Sequence, residues 1–398
     1  MFNPTAIFLT MWGVVVAFHA YDSSFYPFES LTWIIVATGV GSFLAGASLG
    51  AVVPSTVCGA PRRAPYSRSH ISSFLRVCLW LYAAAVVATL VSLKGVLDSY
   101  GGVPTSGAAL RSIVVADFLG QRVIFQHFRI FYLGVVLSLF SLAFASRLPR
   151  SAVLASVVLG LLCAVLTTGR IYLLLFVVAG SVLCYRQGLV SRRGLLMVAA
   201  AFTGLFLLIA ILLGKGGEDA SAAESIAWNV KIYLFSSLAC FNDYVHTGTQ
   251  HVPGGVLIPD FLRPFLNSLG ASIGPKPPLW PFAFVPEPCN TYTVLFPYFH
   301  DGELVGVTLF MALAGALHQV LYDRFLRSSS PIVWYLFSIS LYPLLMMVFE
   351  DAYLSSFGFW LMLLGVPLAF LVFVRICEAR AASLGAPRRG ASESFKRS

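Results

Sequence analysis

The stretch LTWIIVATGVGSFLAGASLGAVV, residues Leu31 to Val53, carries no charged side chain along its whole length. A run of about 20 apolar residues is long enough to cross the hydrocarbon core of a bilayer as a helix. The rest of the chain has the same character, since 58% of its 398 residues are hydrophobic and 11% are charged. This composition excludes an ordinary soluble domain and predicts a protein that crosses a membrane many times.

Ten apolar runs are predicted to be transmembrane helices, although the fifth and sixth are short and nearly continuous. The first run has no basic residues before it and no cleavage motif near Ala20, so we expect a retained span and not a signal peptide. The runs are Pro4–Ala20, Leu31–Val53, Ser72–Leu93, Phe128–Ser146, Ser151–Thr168, Ile171–Tyr185, Gly194–Gly214, Glu303–Leu326, Pro331–Phe349 and Ser355–Arg375.

The charged residues predict how the spans are oriented. One set of charged segments carries 17 of the 26 Lys and Arg residues and three of the 17 Asp and Glu residues. It consists of the loops Pro54–Ile71, Arg147–Arg150, Arg186–Arg193 and Asp323–Ser330, the tail from Arg375 onward, and Arg76. The positive-inside rule therefore places that set and both termini in the cytoplasm, and the opposite loops outside. The net charge of +9 thus reflects topology, and no nucleic-acid partner is predicted.

The predicted fold is an all-α, polytopic membrane helical bundle of about ten transmembrane helices with a large outer loop that carries short amphipathic helices. Residues 1–214 form a bundle of seven spans, 215–302 the loop, 303–377 three further spans, and 378–398 a disordered cytoplasmic tail. Two amphipathic helices are predicted in the loop, at Trp228–Val245 and at PDFLRPFLNSLG, residues 259–270.

The seven cysteines show no metal-ligand spacing. Cys240 and Cys289 both fall in the large outer loop, where an oxidising compartment permits a disulfide. Because Cys240 belongs to an apolar stretch, we expect two unlinked thiols. His246 and His251 lack a third ligand at a suitable spacing, so we predict no metal and no cofactor.

Arg170 interrupts the apolar stretch AVLTTGRIYLLLFVV, residues 164–178. Placing a guanidinium in hydrocarbon costs roughly 2.5 kcal/mol or more, so such a residue usually faces a wet cavity or a partner. The alternative is a turn arginine that reaches the outer boundary, with Gly169 allowing the turn. The functional interpretation is favoured.

A second concentration of polar groups lies in EPCNTYTVLFPYFHDGELVGVTLF, residues 287–310, just before the eighth run. Asn290, Tyr292, His300, Asp301 and Glu303 all lie in its first part. Asp301 could alternatively be the N-cap of the eighth span, with Glu303 in its first turn. An interfacial aromatic belt alone does not require so many hydrogen-bonding groups, so this stretch is a candidate site.

These two segments resemble a known family. The stretch from Asn290 to Tyr322 is similar to the signature region of bacterial oligosaccharide repeat-unit polymerases, the O-antigen polymerase (Wzy-type) family. TTGRIYLLL, residues 167–175, resembles that family's Gly-Arg segment between two middle spans. The family commonly reads Asp-Phe-Gly where the late helix starts, whereas here Asp301 is followed by Gly302 and Glu303.

The resemblance implies a glycosyltransferase of the bacterial inner membrane that acts at the periplasmic face in O-antigen or related surface polysaccharide synthesis. Such an enzyme moves a glycan from undecaprenyl pyrophosphate, as a block, onto another lipid-linked oligosaccharide repeat unit. Its expected partners are those lipid-linked oligosaccharides and the lipid bilayer, with a chain-length regulator and a flippase as further candidates. It uses no nucleotide sugar and no obligate metal.

The outer residues suit that chemistry. A departing pyrophosphate needs a fixed cation, for which Arg170 ranks first. An acceptor hydroxyl benefits from a general base, for which His300, Asp301, Glu303 and the pair Glu350–Asp351 are available. The catalytic candidates are therefore Arg170, His300, Asp301 and Glu303, and the substrate-binding candidates are Arg122, Arg129, Lys231, Arg263, Trp280, Asn290 and Tyr292.

Other functions remain open. A flippase or transporter for lipid-linked sugars predicts ionisable groups along the midplane of several spans, whereas here they gather outside. An O-antigen ligase would pass the glycan to lipid A core, and a membrane acyltransferase also acts on carbohydrate within a many-span bundle. A scaffold subunit of an export complex would leave Arg170 without a task.

Overall fold

Helices form nearly all of the described chain. The computed structural model describes residues 2–22, 27–53, 66–104, 107–120, 122–167, 170–212, 222–248, 254–275, 277, 279–286 and 288–383, and for Arg170 and some other helical residues it describes the backbone only. The elements are α1 (Pro4–Tyr21), α2 (Ser30–Val52), α3 (Arg68–Ser99), α4 (Gly107–Gly120), α5 (Val123–Ala143), α6 (Arg150–Leu166), α7 (Arg170–Arg186), α8 (Arg192–Leu212), α9 (Ala222–Thr247), α10 (Arg263–Ser268), β1 (Ala283–Phe284), β2 (Pro288–Cys289), α11 (Leu295–Arg327), α12 (Pro331–Met346) and α13 (Phe357–Ser383). The strands β1 and β2 pair antiparallel.

Six helices in the described part of the chain are long and apolar enough to cross a membrane: α1, α2, α3, α5, α11 and α13. The apolar helices α6, α7 and α12 are shorter. At 1.5 Å per residue, for example, the 17 residues of α6 are about 25 Å long. Each predicted run coincides with a helix, so the all-α membrane class is confirmed. The count of about ten spans stays a prediction.

Two apolar cores hold the bundle together, and α12 contributes to both. The first core joins α3, α5, α6, α7 and α13, and it includes Tyr335 and Ile339 of α12. The second joins α1, α2, α9 and α11 to the small hairpin, and it includes Phe337 and Leu341 of α12. A helix that is apolar on all sides is expected in the interior of a bundle. The end of α12 therefore lies where the two halves meet.

Helices α2 and α11 approach each other closely enough for backbone contact. A Cβ built on Gly46 of α2 would lie 1.8 Å from the carbonyl oxygen of Ala312. In return, a Cβ on Gly315 of α11 would lie 2.1 Å from the carbonyl oxygen of Phe43. Small residues at such positions are what allow membrane helices to pack at short range. This contact fixes α11 relative to the N-terminal helices.

Helix α11 begins at Leu295 and bends at Glu303, where φ is 49° and ψ is −144°. The sequence predicted a span beginning at Glu303, and the structure corrects this start. The helix continues towards the N-terminus because Leu295, Phe296 and Tyr298 are buried and form part of the second core. The bend separates this short outer segment from the long apolar segment.

Helix α9 contains the predicted amphipathic segment Trp228–Val245, and it packs inside the second core. Asn242, which is fully buried, accepts from the Glu29 amide at 2.9 Å and donates to the Pro27 carbonyl oxygen at 3.0 Å. The expectation of unlinked thiols is wrong, because Cys240 and Cys289 form a disulfide with their Cα atoms 6.3 Å apart. The face of α9 that buries Cys240 contacts β2, which brings the two sulfurs together.

Candidate active site

The polar stretch that the sequence predicted as a site, residues 287–310, runs from the hairpin into α11. The disulfide holds its first residues against α9, and Thr291 Oγ1 lies 3.1 Å from Ser237 Oγ on the same helix. At its other end, the Val294 amide donates to the Met347 carbonyl oxygen at 2.9 Å. The stretch is therefore fixed to α9 on one side and to the end of α12 on the other.

Aromatic rings from the predicted binding set meet in this region. The Tyr292 ring stacks on Phe296 with centroids 4.5 Å apart, and the partly buried Trp280 meets Phe296 edge to face at 5.2 Å. The Tyr292 hydroxyl donates to the Pro281 carbonyl oxygen at 3.0 Å, and burial raises the pKa of Tyr292 to about 12. Asn290 is partly exposed beside them, and its side chain makes no hydrogen bond to any described residue.

His300 lies on the short outer segment of α11. Its Nδ1 is 2.6 Å from the Tyr244 hydroxyl of α9, and its Nε2 is 4.0 Å from Asp301 Oδ1. Burial, with a smaller contribution from the charge of Asp301, raises the pKa of Tyr244 above its ordinary value. The ring is thus held through Nδ1, which leaves Nε2 as the nitrogen that can meet another partner.

Asp301 and Arg263 hold the same loop. The Asp301 carboxylate accepts from the Gly255 amide at 2.9 Å and from the Leu257 amide at 2.8 Å. The buried Arg263 guanidinium donates to the Gly255 carbonyl oxygen at 2.8 Å and also to the Gly274 carbonyl oxygen. The Asp301 oxygens therefore bind the 255–257 loop instead of capping α11. Both residues hold this loop next to the outer segment of α11.

Glu303 is exposed at the bend, and its carboxylate makes no hydrogen bond to any described residue. Its backbone lies in a φ/ψ region that is essentially restricted to glycine. The resemblance places a glycine at this position of the family's Asp-Phe-Gly pattern. The backbone geometry of the bend therefore suits glycine, although the residue is a glutamate.

The other predicted cations occupy separate places. Arg122 and Arg129 lie at the start of α5, each over a phenylalanine ring, with centroid distances of 5.5 Å and 5.8 Å. Lys231 of α9 lies 3.0 Å from Asp22 Oδ2 at the end of α1. The contacts of Arg122 and Lys231 link neighbouring elements, whereas Arg129 and Phe125 both lie on α5. The substrate-binding role of the three cations stays a prediction.

Arg170 is the first residue of α7, and its side chain lies outside the described residues. Two residues onward, Tyr172 stacks on Tyr132 of α5 with centroids 4.1 Å apart and meets Phe359 of α13 edge to face at 5.1 Å. The backbone of Arg170 therefore lies beside an aromatic cluster shared by α5, α7 and α13. Its role in catalysis stays a prediction.

The loop between α12 and α13 lies between the outer segment of α11 and the start of α7, the two regions that contain the predicted catalytic residues. Asp351 is buried there and accepts from the Tyr298 hydroxyl of α11 at 3.3 Å. Its two oxygens also accept the amides of Tyr353 and Ser355, each at 2.9 Å. The Tyr353 hydroxyl lies 2.7 Å from Nε2 of His318, which is fully buried in α11. These contacts fix the loop against α11.

Glu350 precedes Asp351 in the chain. Unlike Asp301 and Asp351, it accepts no hydrogen bond from a described residue, and unlike Glu303 it is only partly exposed. Burial, with a smaller contribution from Asp351, raises its pKa to about 7. It lies close enough to Tyr172 of α7 and Tyr342 of α12 to interact with both electrostatically. Sequence reasoning named the Glu350–Asp351 pair only as a further base. The sequence feature that best marks this pair is its position, since two acids lie inside the otherwise apolar run LMMVFEDAYL, residues 345–354.

Comparison with known proteins supports the resemblance drawn from the residues. Over 205 residues the chain is 31% identical to an O-antigen polymerase of Shigella dysenteriae. The chain is similar to O-antigen polymerases. The matched part is half of this chain and half of that polymerase, so the chain spans about half the length of the curated relative it matches. No protein-family model and no solved structure matches the chain.

Proposed function

We propose that this protein is an oligosaccharide repeat-unit polymerase in O-antigen or related surface polysaccharide synthesis. It transfers a glycan from undecaprenyl pyrophosphate onto the terminal sugar of another lipid-linked repeat unit. The observation that carries the proposal is the 31% identity to an O-antigen polymerase over half of the chain. The polar groups gathered around the start of α11, beside apolar membrane helices, support it.

The proposed reaction takes place at the periplasmic face of the inner membrane, with both termini in the cytoplasm. The charge distribution of the loops supports this orientation. The Cys240–Cys289 disulfide supports it as well, because disulfides persist in oxidising compartments such as the periplasm. The loop that contains them would then face the side on which undecaprenyl-linked glycans are polymerised.

In the proposed reaction, the acceptor hydroxyl oxygen bonds to the anomeric carbon of the donor as the bond from that carbon to the pyrophosphate oxygen breaks. Undecaprenyl pyrophosphate leaves with the bonding electron pair, and the hydroxyl proton passes to a base. Arg170 would stabilise the departing diphosphate, because a guanidinium binds phosphate oxygens in a bidentate way. Trp280, Asn290 and Tyr292 would contact the sugars, and the candidate bases are His300 through Nε2, Glu303 and Glu350.

Gene deletion followed by gel analysis of the surface polysaccharide tests this function. A polymerase deletion leaves lipid A core carrying a single repeat unit, and the wild-type gene restores the ladder. Loss of every repeat, with lipid-linked units trapped in the cytoplasm, would identify a flippase instead. Full-length polymer stranded on the carrier lipid would identify a ligase.

The variant Arg170→Ala is expected to give only the single-repeat product while the protein remains inserted and abundant. Lys94→Ala is a matched control for the loss of an outer cation, since the Lys94 side chain is 69% exposed and pairs with Asp98 on the same helix. A normal ladder from Arg170→Ala would remove this arginine from the proposed site.

A further inference from the structure

The loop between α12 and α13 carries two adjacent carboxylates with different surroundings. Asp351 accepts three hydrogen bonds, from the Tyr298 hydroxyl and from the amides of Tyr353 and Ser355. These bonds occupy both of its oxygens and shape the turn that leads into α13. Asp351 is therefore a structural residue, because removing its carboxylate would leave two loop amides without an acceptor.

Glu350 has no such partners. Its carboxylate makes no hydrogen bond and no ion pair to any described residue, yet the residue is only partly exposed. A carboxylate removed from bulk water normally acquires a partner, because an unpaired buried charge is costly. A partly enclosed carboxylate that protein groups leave free is available to a ligand or to a substrate proton.

Glu350 also lies between the two segments that the proposed function uses. Its neighbour Asp351 binds Tyr298 on the outer segment of α11, four residues after Val294 and two before His300. On the other side, Glu350 lies near Tyr172, which is two residues after Arg170 on α7. Helix α12, which ends just before Glu350, belongs to both apolar cores. The carboxylate is thus at the junction of the two halves of the bundle.

The other acids of this region are less suited to proton transfer. Both oxygens of Asp301 accept loop amides, so its lone pairs are engaged. Glu303 is exposed to solvent at the bend, so the protein does not enclose its carboxylate as it does that of Glu350. Burial raises the pKa of Glu350 to about 7, so both its protonation states are populated near neutral pH. A group of this kind is the usual choice for general acid–base catalysis.

We propose that Glu350 is the general base of the polymerase reaction, which rests on the function proposed above. Its carboxylate takes the proton of the acceptor sugar hydroxyl as that oxygen bonds to the anomeric carbon. The bond between the anomeric carbon and the pyrophosphate breaks in the same step. Glu350 becomes a neutral carboxylic acid, and undecaprenyl pyrophosphate leaves as the anion. The proton is later returned to water.

The test measures polymer formation by the full-length protein in membrane vesicles supplied with a lipid-linked repeat unit. Glu350→Gln keeps the size of the side chain and removes the base, so the rate at saturating substrate should fall by about 100-fold or more, with little change in KM. Glu29→Gln is the matched control, since the Glu29 side chain is 48% exposed and lies 3.1 Å from the exposed His246. This control should polymerise at the wild-type rate.

The pH profile separates a base from a structural residue. The wild-type rate should rise with pH through about 7, since the base must be deprotonated. The titratable groups of the described chain that face Glu350 are Asp351 in its own loop, Tyr172 on α7 and Tyr342 on α12. Glu350→Asp keeps a carboxylate but withdraws it, so the rate should fall by about tenfold and the midpoint of the profile should shift.

The outcomes distinguish the two proposals. If the wild-type protein makes no polymer from the lipid-linked repeat unit, the proposed function fails. If the wild type polymerises and Glu350→Gln keeps a third or more of its rate, the function stands and Glu350 is not the base. If Glu350→Gln does not accumulate in the membrane, Glu350→Asp decides: a wild-type rate with an unshifted pH profile would overturn the assignment.

Discussion

At the scale of single residues, Glu303 is the position where backbone strain can be measured. Its φ of 49° with a ψ of −144° suits glycine. Relieving such a conformation gains about 1 to 3 kcal/mol, and the greater freedom of glycine in the unfolded chain offsets about 0.5 to 1 kcal/mol of that. We therefore expect Glu303→Gly to raise the free energy of unfolding by about 1 kcal/mol, measured as thermal unfolding in detergent.

Glu303→Ala is the matched control for this prediction. Alanine removes the carboxylate but keeps a Cβ, so the strain remains and no comparable stabilisation is expected. Equal stability of the two variants would contradict the assignment of strain to Glu303. Comparing their polymerase activities then shows whether the carboxylate itself contributes to the reaction.

Glu350 predicts a pH dependence of stability with a definite sign. Burial raises its pKa from 4.5 to about 7 in the folded protein, so the folded state binds the proton more tightly than the unfolded state. The stability that this proton contributes is fully present below pH 4.5 and is lost as the pH rises through about 7. Glu350→Gln removes this titration. Its thermal midpoint should therefore fall less than that of the wild type between pH 5 and pH 8, and parallel curves would contradict the prediction.

The roles of single residues were the part of the candidate site that the sequence predicted least well. It found the stretch that contains His300, but spacing alone could not show that Asp301 binds loop amides and Glu350 binds none. Those differences arise from a loop about forty-five residues earlier in the chain and from the turn after α12. Long-range contacts of this kind leave no local periodicity, so the choice among carboxylates required the structure.

At the scale of secondary-structure elements, the contact between α2 and α11 is the most sensitive to volume. Gly46→Ala places a Cβ where the Ala312 carbonyl oxygen lies, so the helices must separate. We expect a loss of about 1 to 3 kcal/mol, typical of an overpacked core, with a matching fall in the thermal midpoint. Gly41→Ala is the control on the same helix, since nothing lies within 4 Å of its Cβ. Gly41→Ala should be neutral or slightly stabilising, and similar losses in the two variants would contradict the close approach.

A second prediction at this scale concerns the disulfide that links α9 to β2. In unfolded, unreduced protein, Cys240 and Cys289 should resist alkylation and become labelled only after reduction. Cys377 of α13 is a free thiol and should be labelled in both conditions, which controls for access of the reagent. Alkylation of Cys240 or Cys289 without reduction would show that they are not bonded in the cell.

Element positions followed well from apolar run length, because a membrane helix needs a continuous apolar segment. The runs predicted at Pro4–Ala20 and Leu31–Val53 end within one residue of α1 and α2. The start of α11 was misplaced because charged residues at Asp301 and Glu303 looked like a helix N-terminus. In the structure they flank a bend inside one long helix, and buried aromatic residues extend that helix outward.

At the scale of the whole molecule, the sequence predicted an all-helical membrane protein correctly because composition alone determines that class. It did not predict that α12 would join two separate cores, since this depends on which faces of the helix meet which neighbours. That arrangement brings the Glu350–Asp351 loop between α7 and α11. The candidate site is therefore a property of the assembled bundle and not of one contiguous motif.

The central claim, that this protein links lipid-carried repeat units into polymer, is tested most directly by reconstitution. Purified protein in liposomes receives an undecaprenyl-pyrophosphate-linked repeat unit as the sole glycan, and the products are separated on a gel. We predict a ladder spaced by one repeat unit, with one undecaprenyl pyrophosphate released for each link formed. Unchanged repeat units, under conditions in which the folded protein is intact, would contradict the claim.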